Sequence, residues 1–361
     1  MKQKIIFCFC ICVFIASSAF TQYAEVYPTN WFTGMKWNKV QLLLRGSDND
    51  LSQEQIRISY PGVQLVKRHV FENTKYVALD IVISSTAKPG TVKIECAKGN
   101  QKNIIEWKLL PRRPGNGSLF AQGVTSKDFI YLLMPDRFCN GDASNDRIAG
   151  MRDQSLDRNE LFARHGGDLQ GVMNHLDYLQ SLGATALWMT PVLENDRTER
   201  TEHGYGFTNQ YVIEPRFGGA DAYKKLSDAL HAKGMKLIQD AVYNHVDIDH
   251  FLYRDMPAKD WFHQWPQYTG TSYKDQPVFD PYGAPSDRKI TQDGWFTQLM
   301  PDVNQNNPFV ANFLIQNSIW GVETFGVDGW RIDTYLYNDL DFMNRCNKAL
   351  MNEYPKITMF G

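Results

Sequence analysis

The sequence has little net charge, little cysteine and no long hydrophobic run. Its 38 Lys and Arg residues nearly balance its 40 Asp and Glu residues, which leaves a formal charge of −2 at pH 7. A chain so close to neutral disfavours nucleic acid or an anionic membrane as its partner. Three of the six cysteines lie in the first apolar run, and the others, Cys96, Cys139 and Cys346, are far apart. This pattern fits neither a disulfide framework nor a zinc site, so we expect free structural thiols.

The N-terminus has the features of an export signal. Lys2 and Lys4 precede an apolar run over residues 5–15, and small residues follow over residues 16–19. This order is typical of a secretory signal peptide, and the run is too short to span a membrane as a helix. We therefore expect residues 1–22 to be removed and the mature protein to be secreted or periplasmic, with no transmembrane segment.

The next part of the chain has the pattern of an all-β domain. Turn-forming residues separate short β-prone runs, which occupy residues 40–44, 55–59, 76–84, 90–96 and 104–109. Short strands at this spacing predict a β-sandwich over residues 23–111, which we expect to be immunoglobulin-like. Residues 112–118 include one Pro and two Gly and are predicted to be a linker.

From residue 119 to residue 361 strand-like runs alternate with helical patterns. The strand-like runs are residues 129–134, 186–190, 235–242, 325–333 and 357–360, and the helical patterns are residues 168–182, 221–233, 308–325 and 338–353. This alternation predicts an α/β fold, a (β/α)8 barrel that is incomplete because only five strand candidates are present. Residues 246–306 are a long, aromatic-rich insertion after the third strand. Its rings either wall a cleft or fill an apolar core of their own.

Two of the strand-like runs end in polar residues that can perform chemistry. Arg331 and Asp333 are two residues apart, so a strand places both side chains on the same face. A guanidinium beside a carboxylate favours the ionised, nucleophilic form, although a structural ion pair is the alternative. The third run ends similarly, with Asp240 followed by Asn244 and His245. The carboxyl ends of parallel barrel strands are where active sites form.

These strand ends resemble two signature regions of the alpha-amylase superfamily of glycoside hydrolases. The sandwich before the barrel resembles that of the neopullulanase and cyclomaltodextrinase subgroup. The resemblance implies hydrolysis of α-1,4-glucosidic bonds in starch-derived glucans by a retaining double displacement. It also implies that Asp333 is the nucleophile with Arg331 beside it, and that Asp240, Asn244 and His245 surround the sugar.

A further segment, containing His203 and Tyr205, resembles the family segment whose Tyr lies under the sugar at the point of cleavage. The chain departs from that segment at Asn209, where the family usually has Asp. The resemblance therefore adds His203 and Tyr205 to the candidate substrate-binding residues. Residues 300–304 resemble an additional signature of the subgroup.

The general acid is the point at which the chain departs most from the family. The family has a Glu directly after a Gly at the end of the fifth barrel strand, whereas this sequence ends at Gly361. The resemblance therefore implies a chain that is truncated after its fifth strand and poorly active as it stands. A catalytically inactive glucan-binding protein is the alternative, and the sequence leaves open whether the protein is a homodimer.

A calcium site is predicted from a loop that is rich in oxygen ligands. The candidate ligands are Asn140, Asp142, Asn145, Asp146, Gly166 and Asp168. Side-chain and carbonyl oxygens on a flexible loop suit Ca²⁺, and the spacing resembles the calcium loop of the subgroup. A set of Asx-turns without a metal is the alternative.

Overall fold

The computed structural model describes residues 23–361, and the predicted signal peptide, residues 1–22, lies outside the described residues. The first part of the described chain forms eight strands, β1–β8, which are Ala24–Tyr27, Asn30–Phe32, Lys39–Gly46, Gln55–Ser59, Val63–Val70, Tyr76–Ile83, Gly90–Lys98 and Gln101–Leu110. They pair into two four-stranded sheets, in the orders β1-β3-β6-β5 and β2-β8-β7-β4. Both sheets contribute buried apolar residues, and Trp31, Leu42 and Trp107 belong to the core. The all-β domain is a sandwich.

Seven strands follow, β9–β15, which are Ile130–Leu133, Ala186–Met189, Leu193–Glu194, Asn209–Ile213, Lys236–Ala241, Gly329–Ile332 and Thr358–Phe360. Five of them form a sheet in the order β15-β14-β13-β10-β9, and every pair in it is parallel. β11 and β12 form a separate antiparallel ribbon in the connection after β10. The predicted fold class, an incomplete barrel preceded by a sandwich, is confirmed.

Nine helices accompany these strands in the part of the chain that the structure describes. α1–α9 are Pro135–Phe138, Leu169–Met173, Leu176–Ser181, Gly219–Ala232, Phe251–Arg254, Gln276–Phe279, Pro285–Asp293, Pro308–Phe325 and Leu340–Glu353. α4, α8 and α9 have buried apolar residues and lie in the connections between successive strands of the parallel sheet. α5, α6 and α7 lie in the insertion between β13 and α8. Within residues 23–361, no helix has both the length and the apolar character needed to cross a membrane.

The interface between the sandwich and the barrel contains paired polar groups. The backbone N–H of Gln41 donates to Gln316 Oε1 at 2.7 Å, and Gln316 Nε2 donates back to the Gln41 carbonyl at 2.8 Å. Arg112, just after β8, pairs with Glu323 at 3.1 Å and with Glu353 at 2.6 Å. Both carboxylates are buried, so these pairs fix the sandwich against α8 and α9.

Candidate active site

The carboxyl ends of β13 and β14 bring two carboxylates to one guanidinium. Asp240 and Arg331 are register partners on these neighbouring strands. Arg331 Nη1 donates to Asp333 Oδ1 at 2.7 Å and to Asp240 Oδ2 at 3.1 Å. The backbone N–H of Asp333 donates to the Ala241 carbonyl at 2.8 Å and fixes the turn after β14. Arg331 therefore holds both acidic side chains at the same end of the sheet.

Burial dominates the electrostatics of this cluster. It raises the pKa of Asp240 to about 7, although Arg331 and a hydrogen bond from Trp188 oppose the rise. Burial also raises the pKa of Asp333, and Arg331 again opposes the change. The guanidinium acts in the direction that favours ionisation, but the loss of water around Asp333 is the larger effect. Trp188 Nε1 donates to Asp240 Oδ2 at 2.9 Å.

Tyr205 joins this cluster from the connection between β11 and β12. Its hydroxyl donates to Asp240 Oδ2 at 3.3 Å. Its ring stacks on that of His203, with the centroids 5.9 Å apart, and its backbone N–H donates to His203 Nδ1 at 2.9 Å. Burial lowers the pKa of His203 to about 4, so this imidazole is neutral at pH 7 and can accept that bond.

Asn244 and His245 follow β13, and their side chains contact each other, with Asn244 Oδ1 and His245 Nδ1 3.1 Å apart. Asn244 Nδ2 donates to Asp302 Oδ2 at 2.7 Å. The His245 ring stacks on Phe296, with the centroids 4.8 Å apart, and its Nε2 is buried without a partner among the described residues. Burial lowers the pKa of His245 to about 3, so it is neutral. His245 thus carries an unused polar atom, whereas Asn244 is committed to a structural contact.

A cavity of about 620 Å³ opens over this cluster. Its lining residues are Arg197, Arg200, His203, Tyr205, Phe296, Thr297, Gln298, Leu299, Met300 and Asp333. Of the predicted site residues, the structure places Asp333, His203 and Tyr205 in the wall of the cavity. Asp240, Arg331 and His245 lie directly behind wall residues that they contact, and Asn244 lies further back. The insertion supplies the opposite wall, from Phe296 to Met300.

The loop residues predicted to bind calcium are also brought together. The Asp168 carboxylate accepts bonds from the N–H groups of Gly141, Asp142 and Gly171 at 2.6–3.1 Å. It also accepts one from Asn145 Nδ2 at 3.3 Å. These bonds cap the N-terminus of α2 and join the two parts of the loop.

The other contacts within this loop indicate which oxygen atoms are available to a calcium ion. Asn140 Nδ2 donates to Asp146 Oδ1 at 2.6 Å. A Cβ on Gly166, which has φ +81°, would lie 2.8 Å from that oxygen. Asn145 Oδ1 is buried without a hydrogen-bond partner in the described part of the chain, whereas Asp142 forms an Asx-turn with Ser144. Within residues 23–361, no cluster of three or more His, Cys, Asp or Glu side chains suits a metal. A cation here would therefore rely on amide and carbonyl oxygens beside the carboxylates.

Family models match both parts of this architecture. The model described as the catalytic domain of alpha amylase matches residues 130–358, which include the parallel sheet, the Arg331 cluster and the insertion. The chain belongs to the alpha-amylase family. The model described as the cyclomaltodextrinase N-terminal domain matches residues 25–113, the sandwich. Together the two matches support the predicted neopullulanase and cyclomaltodextrinase subgroup.

Individual members of the alpha-amylase family are similar over about two thirds of this chain. A cyclomaltodextrinase of Thermoanaerobacter pseudethanolicus is 30% identical over 252 residues, which are 67% of this chain and 40% of that protein. Neopullulanase 2 of Thermoactinomyces vulgaris is 33% identical over 237 residues, 64% of this chain and 38% of that protein. The chain therefore spans about 40% of the length of these relatives. Among solved structures, an Anoxybacillus alpha-amylase superimposes with a TM-score of 0.55 and 31% identity, covering 64% of this chain and 46% of that one.

Sequence patterns did not identify several residues that build this candidate site. Arg197 pairs with Asp247 at 3.0 Å, and both side chains are buried, so the pair joins the connection after β10 to the connection after β13. Trp188 supplies a hydrogen bond to Asp240 and lies under the Arg331 guanidinium, 4.9 Å from it. One sequence feature could have identified Trp188 as part of the site, namely its position in the strand-like run 186–190. No sequence feature could have identified Arg197, because its partner Asp247 is remote in the sequence.

Proposed function

We propose that this protein hydrolyses α-1,4-glucosidic bonds in starch-derived glucans with retention of configuration. The observation that carries the proposal is the Arg331 guanidinium, which holds Asp333 and Asp240 together at the base of the cavity. The names of the relatives, cyclomaltodextrinase and neopullulanase, support an α-glucan as the substrate.

The proposed chemistry proceeds in two displacements. An Asp333 oxygen attacks the anomeric carbon, an ester bond to the sugar forms, and the glycosidic C–O bond breaks as its oxygen takes a proton from an acid. Water then attacks the same carbon and gives its proton to the conjugate base of that acid, while the ester bond to Asp333 breaks and releases the carboxylate. Tyr205 and His203 supply a stacked surface for the sugar. His245 Nε2, which is buried without a partner among the described residues, is proposed to bond a sugar hydroxyl. Asp240, which Trp188 and Tyr205 hold, is proposed to contact the same sugar.

The acid in this scheme is not assigned. Retaining enzymes place two carboxyl groups about 5–5.5 Å apart, and Asp333 is the one carboxyl group among the described residues lining the cavity. This observation favours a second candidate for the 361-residue chain, a protein that binds glucan without turning it over. Both candidates require the cavity to bind an α-glucan.

Titration calorimetry with maltohexaose tests that shared requirement. The 361-residue chain should bind maltohexaose and not a β-1,4-linked glucose hexamer. Tyr205→Ala should weaken binding by about fivefold, because a stacked aromatic ring typically contributes about 1 kcal/mol. Tyr282→Ala is the matched control, since Tyr282 is 94% exposed and outside the cavity. Equal affinity for both hexamers would refute the assignment of the cavity as an α-glucan site. So would an equal loss of affinity in Tyr205→Ala and Tyr282→Ala.

We also propose that calcium binds the loop of Asn140, Asn145, Asp146 and Gly166. Two groups there are oxygen donors of the kind that Ca²⁺ prefers, namely the Asp146 carboxylate and Asn145 Oδ1, which is buried without a partner among the described residues. Bound calcium would hold the loop against the N-terminus of α2, where Asp168 is already the cap.

Calcium should raise the melting temperature in a concentration-dependent way, since it binds the folded state. At about 100 times its dissociation constant it adds about 2.7 kcal/mol to the free energy of unfolding. Asp146→Ala should remove the response, and Asp157→Ala, an exposed Asx-turn residue outside the loop, should keep it. A melting temperature that a chelator leaves unchanged would count against the site.

A further inference from the structure

The insertion that walls the cavity is attached through a narrow neck, defined here as residues 244, 245, 302 and 303. The chain leaves the barrel after Asn244 and His245 and returns at Asp302 and Val303. The Val303 N–H donates to the Asn244 carbonyl at 2.8 Å, and His245 and Asp302 form an antiparallel bridge. The entering and leaving segments are therefore paired at the point where the insertion meets the barrel.

The Asp302 side chain ties this neck to the interior of the insertion. Its Oδ2 accepts a bond from Asn244 Nδ2 at 2.7 Å, and its Oδ1 contacts His263 Nδ1 at 2.6 Å. The backbone N–H of His263 also donates to the backbone carbonyl of Asp302 at 3.1 Å. Asp302 is only 1% exposed and is not among the residues that line the cavity. Both of its side-chain oxygens are already bonded within the protein, so we expect its influence on the site to pass through the neck.

The charges around His263 favour its protonated form. Asp302 and Asp293 face its two ring nitrogens, at 2.6 Å and 3.8 Å, while Lys289 opposes them and is itself paired with Asp293. Burial lowers the pKa of His263, but Asp302 and Asp293 outweigh it, so the pKa is raised above 6.5. Burial raises the pKa of Asp302 to about 7, against the effect of His263 and Asn244. Asp339 also lines the small cavity beside the pair.

We propose that Asp302 and His263 are positioning residues that lock the neck, and thereby fix Asn244, His245 and the cavity wall from Phe296 to Met300. The wall is connected to the neck directly, because the Phe296 N–H donates to the Met300 carbonyl at 3.1 Å, two residues before Asp302. Phe296 in turn stacks on His245. The lock itself is independent of the proposed function, and only its effect on glucan binding rests on that function.

The lock should depend on pH with a definite sign. Both groups have a higher pKa in the folded protein than in the unfolded chain, so the folded state binds protons more tightly and the neck loosens as pH rises. The contribution of His263 is fully present below pH 6.5 and is lost as pH rises through its raised pKa. Replacing both groups by amides, as in Asp302→Asn with His263→Gln, should remove this dependence while an amide–amide hydrogen bond remains available.

Hydrogen exchange measured by mass spectrometry on the full 361-residue chain tests the lock. Exchange at residues 244–246 and 302–304, corrected for intrinsic rates, should accelerate about tenfold or more in Asp302→Asn and in His263→Gln, because each variant leaves a buried group unpaired. The double variant should regain protection that does not vary with pH. His231→Gln is the matched control, since His231 pairs with buried Asp328 at 2.7 Å at the other end of the parallel sheet.

The lock is overturned if His263→Gln leaves exchange at the neck unchanged, or if His231→Gln accelerates it equally. Calorimetry with maltohexaose separates the consequence from the lock. Weaker binding in the neck variants than in His231→Gln is expected, and unchanged binding beside a loosened neck would refute the effect on the cavity. If the parent chain binds no maltohexaose, the proposed function fails while exchange still decides the lock.

Discussion

Incubation of the 361-residue chain with α-maltosyl fluoride should attach a maltosyl group to Asp333. Asp333 lies in the cavity wall with Arg331 at 2.7 Å, and fluoride leaves without needing a proton. Maltotriose does need one, and general acid catalysis is typically worth about 10²–10⁴-fold. Hydrolysis of maltotriose should therefore be slower than labelling by at least about that factor. Intact mass followed by peptide mapping measures the label and its position.

Two variants make the labelling result specific. Asp333→Asn keeps the size of the side chain and should abolish the label, whereas Asp221→Asn, at an exposed position in α4, should leave it unchanged. A label on a different carboxylate would remove Asp333 from the proposed role. Efficient turnover of maltotriose by the 361-residue chain would show that another carboxyl group already acts as the acid.

Arg331→Met should destabilise the protein by about 3–5 kcal/mol at pH 8, because it leaves Asp240 and Asp333 buried beside each other without a cation. Without the guanidinium, both pKa values rise further above the unfolded value. The folded state then binds more protons than the unfolded chain from about pH 4 upwards, so stability falls as pH rises. The loss should be clearly smaller at pH 5, where these carboxyl groups can be protonated. Urea unfolding at both pH values measures the difference.

Arg254→Met is the control for the removal of a cation. Arg254 pairs with Asp249 at 3.3 Å, and its side chain is 63% exposed. Exposed ion pairs typically contribute about 0–1 kcal/mol to stability. The free energy of unfolding of this variant should therefore change little at either pH. Adding Asp240→Asn to Arg331→Met should restore part of the stability at pH 8. If Arg331→Met lost the same stability at pH 5 and at pH 8, the explanation by two uncompensated buried carboxylates would be contradicted.

The helix between β13 and β14 shows how well local signals define an element. The sequence predicted it over residues 308–325, and α8 is Pro308–Phe325. Asn307 caps its start, Pro308 fits the first turn, and Gly326 has φ +73° just after its end. These signals are contained in the chain itself, so no distant contact is needed to interpret them. The strands of the parallel sheet were similarly visible as apolar runs.

Other elements depend on contacts that the sequence does not display. β5, Val63–Val70, was not predicted because it contains Lys67, Arg68 and His69 and lies at a sheet edge, where polar side chains reach water. The single helix expected over residues 168–182 is two helices, α2 and α3. No Pro or Gly marks the break, where the His175 ring contacts the Gly171 carbonyl.

The site shows the same division between local and distant information. The spacing of Arg331 and Asp333 identified a candidate pair from two positions in one strand. Asp302 is 58 residues from Asn244, and only the folded insertion brings them into contact. The sequence could therefore suggest the chemistry of the site, but not the side chains that hold it in place.

The interface between the sandwich and the barrel determines how the molecule unfolds. α8 is buried on nearly all sides, and part of its covering is the sandwich, through the reciprocal bonds of Gln41 and Gln316. If the sandwich unfolded alone, Glu323 and Glu353 would lose the guanidinium of Arg112 and α8 would gain an uncovered apolar side. Neither domain can be lost without a large penalty in the other, so the two should melt as one cooperative unit. The sandwich therefore acts as an integral part of the catalytic domain's core, which limits how freely it can be exchanged for another module.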